Sequence, residues 1–149
     1  MAQKENNIIP MIFDEAFYRK MATQKWRQQD YKKAAEYYEK VLELSPKDFD
    51  IQQHYAQCLV KLNIGKKAER LFYENIVKDF HVAESFYELS QLNIELNEPN
   101  KAFLFGINYV ILSEDKDFRE MLEKTFEVTY TNEQKIELEA QLFSTQLLF

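Results

Sequence analysis

Apolar residues recur at intervals of three and four over most of this chain, with charged residues between them. The stretch "DYKKAAEYYEKVLELSPKD", residues 30–48, shows the pattern well. Tyr31, Ala34, Tyr38 and Val41 fall on one helical face, and the run stops at Ser45-Pro46. Proline cannot continue a helix, and it biases the residue before it toward extended backbone. Start signals agree with six helices up to residue 116. Asp14 and Asp30 are placed to cap the first two, Asp48 the third, and Asn97 with Pro99 opens the sixth. Beyond them, "DFREMLEKTFEV" keeps Phe118, Met121, Leu122, Thr125 and Phe126 on one face. "TNEQKIELEAQLF" then begins at a capping-box pair, Thr131 with Gln134. A seventh and an eighth helix are expected there.

The pattern has a period. Ala34, Ala68 and Ala102 lie 34 residues apart, as do Ala22, Ala56 and Ser90, and the large residues Met21, Tyr55 and Leu89. Small residues at such positions let two helix backbones approach closely, and large ones a turn away fill the grooves. Over residues 15–116 the sequence resembles the tetratricopeptide repeat family, whose unit is a helix-turn-helix of this length. Tyr18, Met21 and Ala22, then Tyr31, Ala34, Tyr38, Val41 and Pro46, follow the family pattern in the first unit, 15–48. The second, 49–82, departs at Gln52 and Phe80, where an aromatic residue and proline are usual. The third, 83–116, has Gly106 in place of a large residue and Tyr109 in place of a small one, a swap that reads as compensatory. The resemblance implies an all-α fold, a right-handed α-solenoid of three tetratricopeptide repeats plus about two C-terminal helices. Residues 1–13 form an apolar N-terminal extension, and 117–149 a degenerate fourth repeat or capping helices, expected to be cut from a longer chain.

Composition narrows the function. With only 2 Gly and 3 Pro among 149 residues, sheets joined by tight turns are disfavoured. The formal net charge is −6, so nucleic acid is not an expected partner. Residues 1–75 carry 13 Lys and Arg against 11 Asp and Glu, and residues 76–149 carry 6 against 14. A single cysteine, Cys58, rules out an intramolecular disulfide and suits a reducing compartment. Neither a signal peptide nor a membrane span is legible, so a cytoplasmic location is expected.

Catalytic constellations fail one by one. His54 and His81 have no partners at metal-ligand spacing, and Cys58 falls inside an apolar run, where a buried inert thiol is expected. Glycine occurs only at 65 and 106, so no loop can cradle a phosphate. Asp115 and Asp117 sit in an inter-helix turn, where capping explains them. The chain therefore reads as a non-enzyme without cofactor or metal: a protein-protein interaction module, scaffold or adaptor. Two rival readings are a small chaperone of secreted proteins, as in type III secretion, and a regulatory domain of a larger protein. Family positions facing the concave groove correspond here to Arg19, Thr23, Trp26 and Arg27, to Gln53, Gln57, Val60 and Lys61, and to Tyr87, Gln91 and Ile94. The resemblance assigns these to a peptide or helix laid in the groove, with Trp26, Arg19, Arg27 and Tyr87 as anchors. The family's carboxylate clamp for acidic chaperone tails is mostly missing, since only Arg19 keeps its charge. The apolar C-terminal stretch with Leu142, Phe143, Leu147, Leu148 and Phe149 reads as a possible homodimer contact.

Overall fold

A computed structural model of the protein describes residues 13–127. They form α1 (Glu15–Arg27), α2 (Tyr31–Leu44), α3 (Phe49–Lys61), α4 (Gly65–Val77), α5 (Val82–Glu95), α6 (Pro99–Ser113) and α7 (Lys116–Glu127). Among the described residues there is no strand. The chain divides between Leu71 and Phe72 into two compact units. In the first, α1 packs on α2 and α2 on α3; in the second, α5 packs on α6 and α6 on α7. Three aspartates open helices as expected. Asp14 accepts from the Phe17 N–H at 2.8 Å, Asp30 from Lys33 at 3.2 Å, and Asp48 from Ile51 at 3.1 Å. At the end of α2, the Ser45 N–H closes onto the Val41 carbonyl at 2.8 Å, and Pro46 follows.

The turns repeat as strictly as the helices do. Gln29, Asn63 and Asn97, again 34 residues apart, take left-handed backbone with φ of 60°, 61° and 56°. Each lets the next residue's N–H reach five residues back. Asp30 donates to the Lys25 carbonyl at 2.9 Å, Ile64 to Leu59 at 2.8 Å, and Glu98 to Asn93 at 2.8 Å. A fourth turn of this kind ends α4, with Asp79 at φ 62° and the Phe80 N–H on the Asn75 carbonyl at 2.9 Å. This is how Phe80 stands in for the closing proline. Asn97 is therefore not the cap of α6. It is the left-handed residue that ends α5, while Glu98 precedes α6 without a side-chain capping bond and Pro99 takes the first turn.

Both small-residue series sit where the period places them: Ala22, Ala56, Ser90, Ala34, Ala68 and Ala102 are fully buried. The Ser90 hydroxyl donates to the Ala102 carbonyl at 2.7 Å, so these two positions face each other across the α5–α6 hairpin. Gln52, in the aromatic's place, is buried and donates to the Leu71 carbonyl at 3.3 Å. Its amide stays satisfied where a ring would have been apolar.

The swap at Gly106 and Tyr109 is not compensatory in the expected sense. A Cβ on Gly106 would lie 2.7 Å and 2.9 Å from the two methyls of Leu122 and 3.0 Å from the Ser90 hydroxyl. The volume is filled by fully buried Leu122 of α7, not by the aromatic ring. Tyr109 packs elsewhere, edge-on to Phe118 at 5.0 Å and against Tyr87 at 5.1 Å. Its hydroxyl donates to Asp115 at 2.9 Å, and Asp115 in turn accepts from the Phe118 N–H at 2.9 Å to open α7. The eighth helix, the C-terminal homodimer contact and nearly all of the N-terminal extension lie outside the described residues. Of that extension only Phe13 is described, edge-on to Phe17 at 4.9 Å.

Restoring the family's large residue at Gly106 should therefore harm the fold. Gly106→Leu is expected to cost about 3 kcal/mol by overpacking against Leu122. Gly106→Leu with Leu122→Ala should recover part of that loss, as read from urea midpoints. Strict additivity of the two single costs would contradict the packing account.

Candidate functional site

The described site is built on α1. Residues 19, 23 and 27, and beside them 20, 24 and 28, are spaced one helical turn apart, so both rows share one broad face. Arg19, Lys20, Thr23, Gln24, Arg27 and Gln28 line an open cavity of about 620 Å³. The groups on this wall differ in how far they are already committed. Arg19 donates to Glu15 from Nε at 2.9 Å and from Nη2 at 2.6 Å, and Nη2 also pairs with Asp48. The other Glu15 oxygen accepts from the Ser45 hydroxyl at 2.8 Å. This network ties the start of α1 to the turn between α2 and α3. The Thr23 hydroxyl donates to the Arg19 carbonyl at 3.0 Å. Lys20 and Arg27 have no ion-pair partner among the described residues, and both are exposed.

The Arg19 network moves protonation in a definite direction. Hydrogen bonds from Arg19 and Ser45 hold Glu15 below the usual carboxylate range. Burial pushes Asp48 upward, but Arg19 and the Ile51 N–H outweigh it, so Asp48 also titrates low. The guanidinium is correspondingly raised, first by Asp48 and then by Glu15.

The other expected site residues are spread over both units. In the first, Trp26 is half-buried with its ring edge-on to Tyr31 at 5.1 Å. Gln57 and Val60 are half-buried and Lys61 exposed, whereas Gln53 is buried with 3% of its surface exposed. In the second, Tyr87 retains 36% exposure while packing on Tyr109 and Phe118, Gln91 is half-buried, and Ile94 is 39% exposed. The α1 cavity thus gathers Arg19, Thr23 and Arg27 from the expected set, and adds Lys20, Gln24 and Gln28. The three additions were legible as an i, i+4 row on α1, but the family's groove positions do not include them.

Little reactive chemistry surrounds these residues. Cys58 is fully buried, and burial pushes its thiol up to about 12, far from a nucleophile's range. His54 lies parallel to the Tyr38 ring at 6.0 Å. Among the described residues, no three His, Cys, Asp or Glu side chains are placed to hold a metal ion. No helix there is long and apolar enough to cross a membrane.

Helical hairpins with buried small residues at a 34-residue period define an all-α protein of the α-solenoid class. A family model for the tetratricopeptide repeat matches residues 25–72, from the end of α1 into α4. A crystal structure of the MamA protein, which contains such repeats, shares the fold with a TM-score of 0.69 at 19% identity. That match covers 91% of this chain and 74% of the other. No curated protein sequence matches this one. Likeness to the tetratricopeptide repeat is thus shown over residues 25–72, and the likeness to the solved structure shows the fold.

The Arg19 network has a pH signature. Carboxylates with lowered folded-state values stabilise the fold above the ordinary carboxylate range, and that contribution is lost as pH falls through those values. Arg19→Met is expected to lower the urea midpoint at neutral pH. It should also flatten the stability loss on acidification between about pH 5 and pH 3. A mutant whose acid profile runs parallel to wild type would show that Arg19 does not depress these carboxylates.

Proposed function

We propose that this chain is a non-catalytic interaction module whose α1 face receives a peptide or helix carrying acidic side chains. The observation that supports this reading is the α1 cavity, where Lys20 and Arg27 stand uncommitted beside an Arg19 already neutralised by two carboxylates. Residues 20 and 27 are seven apart on one helix, a separation of roughly 10 Å along the axis. In an extended peptide, side chains two and four residues apart share a face and lie about 7 and 13 Å apart, so acidic side chains at i and i+2 or i+4 bracket the distance between the two cations. Thr23, Gln24 and Gln28 offer polar groups between and beside them, and half-buried Trp26 adds an aromatic surface at the end of the same helix. Arg19 serves this site by holding α1 in place, which makes it a positioning residue.

A displayed library of extended peptides, selected on the full chain, tests the reading. Selected peptides are expected to carry acidic pairs at i, i+2 or i, i+4, and Lys20→Glu/Arg27→Glu should weaken them at least about tenfold, with circular dichroism unchanged. Selection of uncharged peptides, or binding indifferent to the double reversal, would overturn it.

A further inference from the structure

Ile64 stands where the other two left-handed turns of this register place an acidic residue, Asp30 and Glu98. In all three, the residue's carbonyl accepts the first i→i−4 bond of the next helix: Ala34 on Asp30 at 2.9 Å, Ala68 on Ile64 at 3.2 Å, Ala102 on Glu98 at 3.0 Å. That is the N-cap position, where Asp, Asn and Ser are favoured and Ile is among the worst choices. Ile64 forgoes the side-chain bond that Asp30 makes to Lys33, and it keeps 46% of its surface exposed. Its own N–H, held on the Leu59 carbonyl at 2.8 Å, fixes the backbone that presents it. Lys61 and Lys66 flank it, both exposed and neither in an ion pair among the described residues. An apolar knob in a basic frame, at a position that costs the helix its cap, has the character of a contact residue.

The second unit carries a matching recess. Ile76, Val82, Phe86, Ile111 and Leu112, with Asp79 among them, line a cavity of about 200 Å³. Ile111 and Leu112 are each more than half exposed, and Val77 and Phe80 add further open apolar surface in the adjoining chain. The space suits one branched aliphatic side chain. Charge agrees with the fit. Residues 72–127 carry 5 Lys and Arg against 12 Asp and Glu, whereas residues 13–71 carry 12 against 9. The knob is basic-flanked and its unit basic; the recess contains a carboxylate and its unit is acidic.

We propose that Ile64, flanked by Lys61 and Lys66, docks into the Ile76–Leu112 recess of a second copy of this chain. The two patches differ, so the contact is heterologous, and each copy in a pair retains one free knob or one free recess.

Sedimentation velocity of the full chain over a wide concentration range tests this. Wild type is expected to gain mass with concentration, less so at about 500 mM salt than at about 50 mM. Ile64→Asp restores a capping residue, so it should melt at or above the wild-type temperature while weakening self-association at least about tenfold. Leu112→Lys, on an exposed residue, should weaken it comparably. The decisive arm mixes the two variants. One keeps its recess and the other its knob, so together they should form a 1:1 pair that neither forms alone. A wild type that stays monomeric throughout, association unchanged by Ile64→Asp, or a mixture that fails to pair would each overturn the proposal.

Discussion

Everything in this fold depends on reversing a helix at a fixed register. A turn of few residues must send the chain back antiparallel while satisfying the carbonyls that the ending helix leaves without partners. Gln29, Asn63 and Asn97 do so by taking left-handed backbone, and the following N–H then bonds five residues back. Left-handed backbone costs a non-glycine residue about 1 kcal/mol or more, and these turns accept that cost without a glycine. Because the return helix starts two residues after the left-handed one each time, Ala34, Ala68 and Ala102 arrive opposite the small residues of the outgoing helix. The Ser90 hydroxyl on the Ala102 carbonyl shows how close that approach is.

Close backbone packing keeps small residues at the helix crossings, with aliphatic and aromatic side chains such as Leu89, Leu122 and Phe72 filling the space around them. Several buried polar side chains are bound to carbonyls, as Gln52 is to Leu71 and Asn108 is to Leu104. Cys58 is sealed within this interior. What distinguishes the protein is therefore the set of side chains that the hairpins display. On the α1 cavity wall these include three cations, of which Arg19 is committed to the fold and Lys20 and Arg27 are not.

Much of the architecture was legible because it is periodic. Six small residues at one spacing specified which helix faces meet, and all six are buried. Caps at Asp14, Asp30 and Asp48 were legible because a carboxylate before a helix has one dominant local use. Asn97 was misread since asparagine suits both an N-cap and a left-handed helix end, and only the backbone separates them. The turn series 29, 63, 97 has the same period, but Gln29 breaks the asparagine that Asn63 and Asn97 share, and asparagine alone does not separate a turn from a cap. Gly106 was misread for a different reason: the side chain filling its space, Leu122, comes from the helix beyond the third repeat. On the candidate site, Arg19 was legible as a cation but not as a partner of Asp48, a contact 29 residues away. Gln53 was placed on the groove face by family position, yet it is buried.

Amide hydrogen exchange, resolved residue by residue, tests the central claim most directly. If the left-handed turns set the register, the N–H groups of Asp30, Ile64 and Glu98 are locked into the five-back bonds and should be protected, although they lie in turns. The first-turn amides of Tyr31 and Gly65 should exchange at least about tenfold faster, as helix starts leave such donors without backbone partners. Protection recurring at 30, 64 and 98 is the expected result. Exchange at those three amides as fast as at Tyr31 and Gly65 would contradict the account.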